Sequence, residues 1–493
     1  MILTVCSTFL VFRTRKRTLK PLSQELMTVQ IKKWPSANRI LLILIVLAGI
    51  WLGTGALSIY RTNDGSNDFD TFYAAGKAVL KAEGIYYVGD YYKTREESGL
   101  FLYPPIAACI FAPFALLPIS AAAFLWNTLL LILFGGTLIL ILKYLGVSSG
   151  ALPSFWTSIP KRDRWLFAFV SAVMLIDNLG MAQINILVFF LCAWALVLRQ
   201  SGKSFVSGLV LSFAIFLKLT PVIFCFYFVL KRSWKLVGGV IVGILLLSLI
   251  FPVLIFGWET NRIYHRQWLG RMVKPMVADV MDKIKKEKKH PFKKSLGEIQ
   301  GDRTDWMFAD SNQSLEAALA RLFLKDRSKY FYSGPELNHV TKPYEKLPAL
   351  GGGVSNDVLI VWVRAIRLVA FVLLAYLWFK RTGEKESIRG PLEISLVFLS
   401  TTLLSPIARS HYFIVWVFAY MTLFFIRSQD IKLPHGRFLL WSAKVSCFLY
   451  LFQALPYGEG IGMGTWANLA FWVGCASNLG RKQFPRAERF IDK

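Results

Sequence analysis

Apolar runs of membrane-crossing length recur through this chain: residues 39–60, 121–145, 165–179, 184–198, 235–257, 358–379, 391–404, 412–426, 438–455 and 463–479. A bilayer core is crossed by about 17 to 25 predominantly apolar residues in helical form. Helix is the form such runs must take, because lipid offers the backbone no hydrogen-bond partners. Two shorter runs, 205–217 and 219–230, flank Lys218-Leu219-Thr220-Pro221. With 55% hydrophobic and 18% charged residues the chain is too apolar for an ordinary soluble domain.

Charge then orients the runs. The chain carries 57 Lys+Arg against 30 Asp+Glu, a net +27. In polytopic proteins such an excess gathers in cytoplasmic loops, which sets aside a nucleic-acid-binding reading. The cations cluster at Lys32/Lys33/Arg39, Lys161/Arg162/Arg164, Arg199/Lys203, Lys231/Arg232/Lys235, Lys380/Arg381/Lys385, Arg427/Lys432/Arg437 and Arg481/Lys482/Arg486. Placing them all inside requires that the two short runs form a hairpin and that the segment from Pro104 to Pro118 does not cross. That segment is bounded by prolines and suits a re-entrant or surface-lying helix. The result is an all-α polytopic protein with about twelve transmembrane helices and both termini inside. Its parts are a cytoplasmic tail 1–38, a membrane module 39–257 with an external loop 61–104, an external loop domain 258–356, a second membrane module 357–479 and a tail 480–493. The apolar stretch from Met1 to Phe12 is too short to cross, and its charges follow it instead of preceding it as in a secretory signal. It reads as an interfacial tail, or as an upstream start with Met27 the true one.

The same topology sends 63–103, 183–185, 218–221, 259–356 and 405–411 to the external face, and these segments hold nearly every polar residue the apolar background leaves over. Asp68 and Asp70 form a DxD that, if extended, could share a metal. The spacing of Phe69, Phe72, Tyr73, Gly76 and Leu80 predicts a helix instead, in which residues i and i+2 point apart and only one carboxylate faces a site. Asp68 or Asp70 as a helix N-cap is an equal alternative. Tyr103-Pro104-Pro105 pins an extended segment before a short helix. Tyr86, Tyr87, Tyr91 and Tyr92 read as an interfacial aromatic belt ahead of a stacking platform.

Lys218 lies where an ammonium must snorkel or meet an anion. Arg409 and His411, after Ser405-Pro406, reach the same face, and three such groups suit a lipid phosphate. The run Lys283–Lys294 reads as solvated or resting on anionic headgroups. Residues 310–322 predict a helix start capped by Ser311 or Asn312, with Leu315, Leu319 and Leu322 on its apolar face; Asn312 and Gln313 are secondary candidates for sugar hydroxyls. Gly351-Gly352-Gly353 is a linker, and Asp177 and Glu393 are the main ionisable groups inside the spans. Five cysteines (Cys109, Cys192, Cys225, Cys447, Cys475) sit in apolar segments, Cys6 lies elsewhere, and no CxxC or His/Cys ligand spacing occurs.

Asp68-Phe69-x-x-Phe72-Tyr73-x-Ala75-Gly76, Tyr103-Pro104-Pro105, Gln183-x-Asn185, Lys218-Leu219-Thr220-Pro221, Asn312-Gln313-Ser314, and Ser405-Pro406 followed by His411-Tyr412 occur in that order. The set resembles glycosyltransferase family 87, polytopic enzymes of the GT-C class similar to polyprenyl-phosphate-mannose-dependent mannosyltransferases, over roughly residues 39–455. One departure is Ala182, where the family commonly has a glycine before the Gln. The resemblance implies a GT-C-like fold with Asp68 as catalytic base and Lys218, Arg409 and His411 near the donor phosphate. It implies polar substrate contacts from Gln183, Asn185 and Asn312, with Asp70, Tyr73 and Tyr103 as further candidates.

The expected function is transfer of a hexose, mannose first, from a polyprenyl-phosphate sugar to a lipid or glycan acceptor. Asp68 would take the acceptor proton as the anomeric carbon inverts, with no cofactor and no metal. The rival is a transporter or flippase of lipid-linked saccharides. The expected partners are these lipids and the membrane, not nucleic acid. The expected location is a bacterial inner membrane with the site outside, since Ile491-Asp492-Lys493 is no retention signal.

Overall fold

The computed structural model describes residues 49, 51–61, 68–86, 101, 103–270, 312–325, 349–379, 388–455, 458 and 460–479. The two tails, Tyr87, Tyr91, Tyr92, the basic run Lys283–Lys294 and most of the external loop domain lie outside the described residues. Within them every apolar run is helical, and no strand forms beyond one isolated bridge between Leu324 and Val354.

Four helices among the described residues are long and apolar enough to cross a membrane: Ile119–Leu145, Trp234–Phe256, Asp357–Phe379 and Ser410–Ser428. With the other apolar helices they make an all-helical, polytopic membrane protein. Lys161–Gly180, Asn185–Gln200, Ser204–Leu217, Val222–Leu230, Arg389–Leu403, Gly436–Phe452 and Met463–Leu479 complete the bundle. Prolines stand just before Ile119 and Lys161, where the missing N–H would be unpaired in any case. Pro252 is accommodated differently: the turn before it, Leu246–Ile250, widens to a π-helix that absorbs the lost hydrogen bond. Helices Ser204–Leu217 and Trp234–Leu245 press their backbones together at Gly208, where a Cβ would stand 2.1 Å from the Leu236 carbonyl oxygen. Small residues at such crossings are how membrane helices gain packing without a hydrophobic drive.

Between Pro104 and Pro118 the chain makes one short helix, Pro105–Phe111, and a 3-10 turn, Phe114–Leu116, broken at Ala112-Pro113. Neither is long enough to cross.

Helix ends sort onto two faces. On one, the Arg389 guanidinium donates from Nε to Glu393 Oε1 (2.7 Å), from Nη1 to the Leu479 carbonyl (3.2 Å) and from Nη2 to the Leu377 carbonyl (2.6 Å). Lys231 Nζ lies 2.8 Å from Glu393 Oε2, and the Tyr227 hydroxyl donates to the same oxygen. Nearby, Arg199 donates to Ser233. These are the ends that the cation clusters assign to the cytoplasm, and Glu393 is the buried carboxylate that ties them. Removing it with Glu393→Ala takes the counter-charge from two buried cations, so the unfolding midpoint in detergent should fall by an amount corresponding to about 3 kcal/mol or more. A midpoint within error of the unsubstituted protein would show that the clamp contributes nothing.

Candidate active site

The opposite face gathers the polar residues. Helix Phe69–Leu80 buries Phe69, Phe72 and Tyr73, while Leu80, expected on the same apolar face, points outward. Phe72 stacks on Phe111 (centroids 4.6 Å) and meets Tyr103 edge-on (5.1 Å). Gly76 permits this approach, since a Cβ there would lie 2.5 Å from the Phe111 carbonyl. Pro104 is extended and Pro105 opens the next helix, so the Tyr103-Pro104-Pro105 turn delivers the Tyr103 ring to the end of helix Phe69–Leu80.

Asp68 occupies the N-cap position of that helix, but its side chain makes no capping bond. Its carboxylate accepts from Gln183 Nε2 instead. Asp70 Oδ1 accepts the Thr71 N–H at 2.7 Å. The two carboxylates part as helical geometry requires. Among the described residues no three His, Cys, Asp or Glu side chains gather as a metal site.

Gln183 is aimed by a tight turn after helix Lys161–Gly180. The turn places Ala182 at φ 48°, a left-handed conformation in which glycine is the unstrained residue. That is the position where the family pattern commonly has glycine, and here Trp126 Nε1 donates to the Ala182 carbonyl (2.9 Å) to hold the turn.

Lys218 stands in extended backbone between helices Ser204–Leu217 and Val222–Leu230. It neither snorkels nor lacks a partner: Nζ donates to Asn185 Oδ1 and sits 3.1 Å from the centroid of the Tyr412 ring. Asn185 in turn donates to the His411 carbonyl (3.3 Å), which also receives Asn178 Nδ2 (2.8 Å). Arg409 and Lys218 are the positive charges acting on Asp68, yet burial outweighs both and raises the Asp68 pKa above the ordinary carboxylate value. The Tyr103 hydroxyl shares the electrostatic environment of Asp68, Tyr412 and Arg409.

The remaining candidates act as struts. Asn312 Oδ1 accepts the Ala408 N–H (3.0 Å) and the Ser314 N–H (3.0 Å), and Gln313 N donates to the Ala408 carbonyl. Together they fasten the segment 312–314 to the loop carrying Arg409 and His411. The helix cap is neither Asn312 nor Ser311, which lies outside the described residues; it is Ser314, whose hydroxyl accepts from Ala317 N at the start of Leu315–Phe323. The side chain of Asn312 is already spent on backbone groups, which leaves the capping to the next suitable hydroxyl. The Tyr73 hydroxyl donates to the Leu117 carbonyl (2.8 Å).

Two contributors escaped the sequence reading as site residues, Asn178 and the Tyr412 ring. An amide in an otherwise apolar run was the available signal for Asn178. Asp177, beside it, lines a cavity of about 270 Å³ with Leu57, Arg61, Val173 and Ile176.

The site thus sets a desolvated carboxylate, Asp68, against two cations, Lys218 and Arg409, in a helical membrane scaffold. The model of glycosyltransferase family 87 matches residues 101–283, a shorter span than the 39–455 over which the motifs resemble that family. The chain is 33% identical over 206 residues to a polyprenol-phosphate-mannose-dependent alpha-(1-2)-phosphatidylinositol mannoside mannosyltransferase of Mycolicibacterium smegmatis, covering 38% of this chain and 44% of the relative. It is 29% identical over 243 residues to the enzyme of that name from Mycobacterium tuberculosis, covering 46% of this chain and 55% of the relative. A phosphatidylinositol pentamannoside mannosyltransferase of Mycolicibacterium smegmatis is 27% identical over 187 residues, covering 36% of this chain and 42% of that one. The chain thus spans about half the length of the curated relatives it matches. No solved structure matches.

Proposed function

We propose that this protein is an integral-membrane glycosyltransferase that moves mannose from a polyprenyl-phosphate donor to a lipid or glycan acceptor, such as a phosphatidylinositol mannoside, at the external leaflet of a bacterial inner membrane. The observation that carries the reading is the opposition of Asp68, held by Gln183, to Lys218 and Arg409. In this mechanism the acceptor hydroxyl oxygen bonds to C1 of the sugar from the face opposite the phosphate. The C1–O bond breaks with its electron pair passing to the phosphate, and Asp68 receives the hydroxyl proton. The anomeric configuration inverts.

Lys218, Arg409 and His411 stabilise the negative charge that gathers on the leaving phosphate, an effect worth most where water is excluded and the groups are already in place. Burial helps the base as well, because a carboxylate with a raised pKa takes a proton more readily. Asn178 and Asn185 act at one remove by fixing the His411 backbone and the Lys218 ammonium. With both termini inside and about twelve crossings, a GT-C-like scaffold would hold these groups at the outer boundary. Glu393 is engaged in the clamp on the opposite face, so the rival transporter reading is left with Asp177 as its interior carboxyl.

The test is transfer by the purified protein in detergent, where no second compartment exists for a transporter. Radiolabelled polyprenyl-phosphate mannose should label a phosphatidylinositol mannoside acceptor at the same rate with and without excess EDTA. Absence of labelled acceptor would remove the enzyme reading, and activity lost to EDTA and restored by Mn²⁺ would return the two aspartates to a metal.

A further inference from the structure

Helix Asn356–Phe379 is the least buried of the four long apolar helices, yet it carries Arg364 and Arg367 one turn apart on one face. Arg367 Nη1 reaches Glu316 Oε2 at 3.4 Å, a long contact to helix Leu315–Phe323 of the external segment. Its Nε and Nη2 are buried and have no hydrogen-bond acceptor among the described residues. These two N–H groups share one edge of the planar guanidinium and point the same way, at the spacing of two oxygens of a phosphate or carboxylate. Charged donors shielded from water without an acceptor are costly, and an arginine within a membrane helix is expected to have an anion or carbonyl beside it.

The position of Arg367 says which anion. It stands about 18 Å above Phe379 at about 1.5 Å per residue. Lys218 ends the helix Ser204–Leu217, about 21 Å above that helix's start on the same scale. Both helices rise from the face of the Arg389–Glu393 clamp, so the two cations lie at similar depth. Laterally, Phe226 stacks on Phe371 with centroids 4.3 Å apart. Phe371 is one turn below Arg367 and Phe226 one turn below Val222, which brings Arg367 beside the turn from Lys218 to Val222. Leu219, Val222 and Leu368 are exposed around it, an apolar surface open to the side.

We infer that the Nε/Nη2 edge of Arg367 binds the phosphate of a membrane lipid at this lateral opening, next to the Lys218 turn. Glu316 holds the remaining nitrogen and orients the fork, and Arg364 adds positive charge one turn toward the external end. A lipid whose chain lies along Leu219, Val222 and Leu368 would present its headgroup to this edge. The inference stands on the membrane reading of the chain and does not depend on Asp68 being the base.

Native mass spectrometry of the full chain in detergent, titrated separately with a polyprenyl monophosphate, with phosphatidylinositol and with uncharged diacylglycerol, reads the site without any transfer assay. Arg367→Gln and Arg367→Lys should each bind at least one of the two phosphate lipids about tenfold or more weakly, because lysine keeps the charge but lacks the paired edge. Diacylglycerol binding should not change. Loss limited to the polyprenyl monophosphate assigns the site to the donor, and loss limited to phosphatidylinositol assigns it to the acceptor or a bilayer lipid. Unchanged affinity for both phosphate lipids, or equal loss of diacylglycerol, overturns the inference. Glu316→Gln covers the case in which the Arg367 variants fail to fold: freeing the third nitrogen should leave phosphate-lipid binding as tight or tighter, and a tenfold loss would count against the site. If Arg367 variants bind lipid normally while Asp68→Asn abolishes transfer, this inference falls and the proposed activity stands.

Discussion

Asp68→Asn should reduce sugar transfer by about a hundredfold to ten-thousandfold, the range over which a positioned general base contributes, with the variant still folded. Asparagine can keep a hydrogen bond with Gln183 through its amide but cannot accept the acceptor's proton. Asp70→Asn should keep most of the activity, because Asp70 is turned to the Thr71 N–H. Measured side by side, equal losses would undo the division of labour between the two carboxylates. The same pair predicts a pH dependence with a definite sign. Burial raises the Asp68 pKa, and the base must be ionised to work. The rate should therefore fall as pH is lowered through a value above that of an ordinary carboxylate, and rise to a plateau on the alkaline side. A limb at or below the ordinary value would mean that Asp68 is not the group being titrated.

Lys218→Gln should cost about a hundredfold to a thousandfold in kcat, as loss of one preorganised group facing a developing oxyanion does. The loss belongs in kcat because the charge on the departing phosphate grows as the C1–O bond breaks. Arginine should restore little. Lys218 Nζ is held between Asn185 Oδ1 and the face of Tyr412, and the larger planar guanidinium cannot occupy that gap without displacing one of them. Single-turnover measurement separates this effect from weaker donor binding. An unchanged chemical step with a raised KM would make Lys218 a docking group only.

The parts of the site legible in the sequence are those coded within a few residues. The three- and four-residue spacing from Phe69 onward predicts the helix that separates Asp68 from Asp70, and the helix forms. The bounding prolines of 104–118 predict a segment that does not cross, and it breaks into two short pieces. Where local answers compete, the sequence misleads: Ser311 or Asn312 is the cap it predicts, and Ser314 takes the place because Asn312 is engaged by Ala408, a residue far along the chain. The stretch around Lys218 predicts snorkelling or a lipid partner, because nothing near it in sequence shows that Asn185 and the Tyr412 ring arrive from other helices.

The family match makes the same point from another side. Residues 101–283 contain Tyr103, Gln183, Asn185 and Lys218 but neither Asp68 nor Arg409 and His411. A carboxylate from before the matched stretch, and the Arg409 cation with the His411 ring from after it, enter the site through long-range contacts alone. Hydrophobic run length acts locally, through the thickness of the bilayer, so the membrane class could be read directly from the order of residues. Convergence of Asp68, Lys218 and Arg409, and the burial that raises the pKa of that carboxylate, arise from helices packing against partners hundreds of residues away; no short stretch of chain encodes them, because the energy of a buried charge depends on what surrounds it in space.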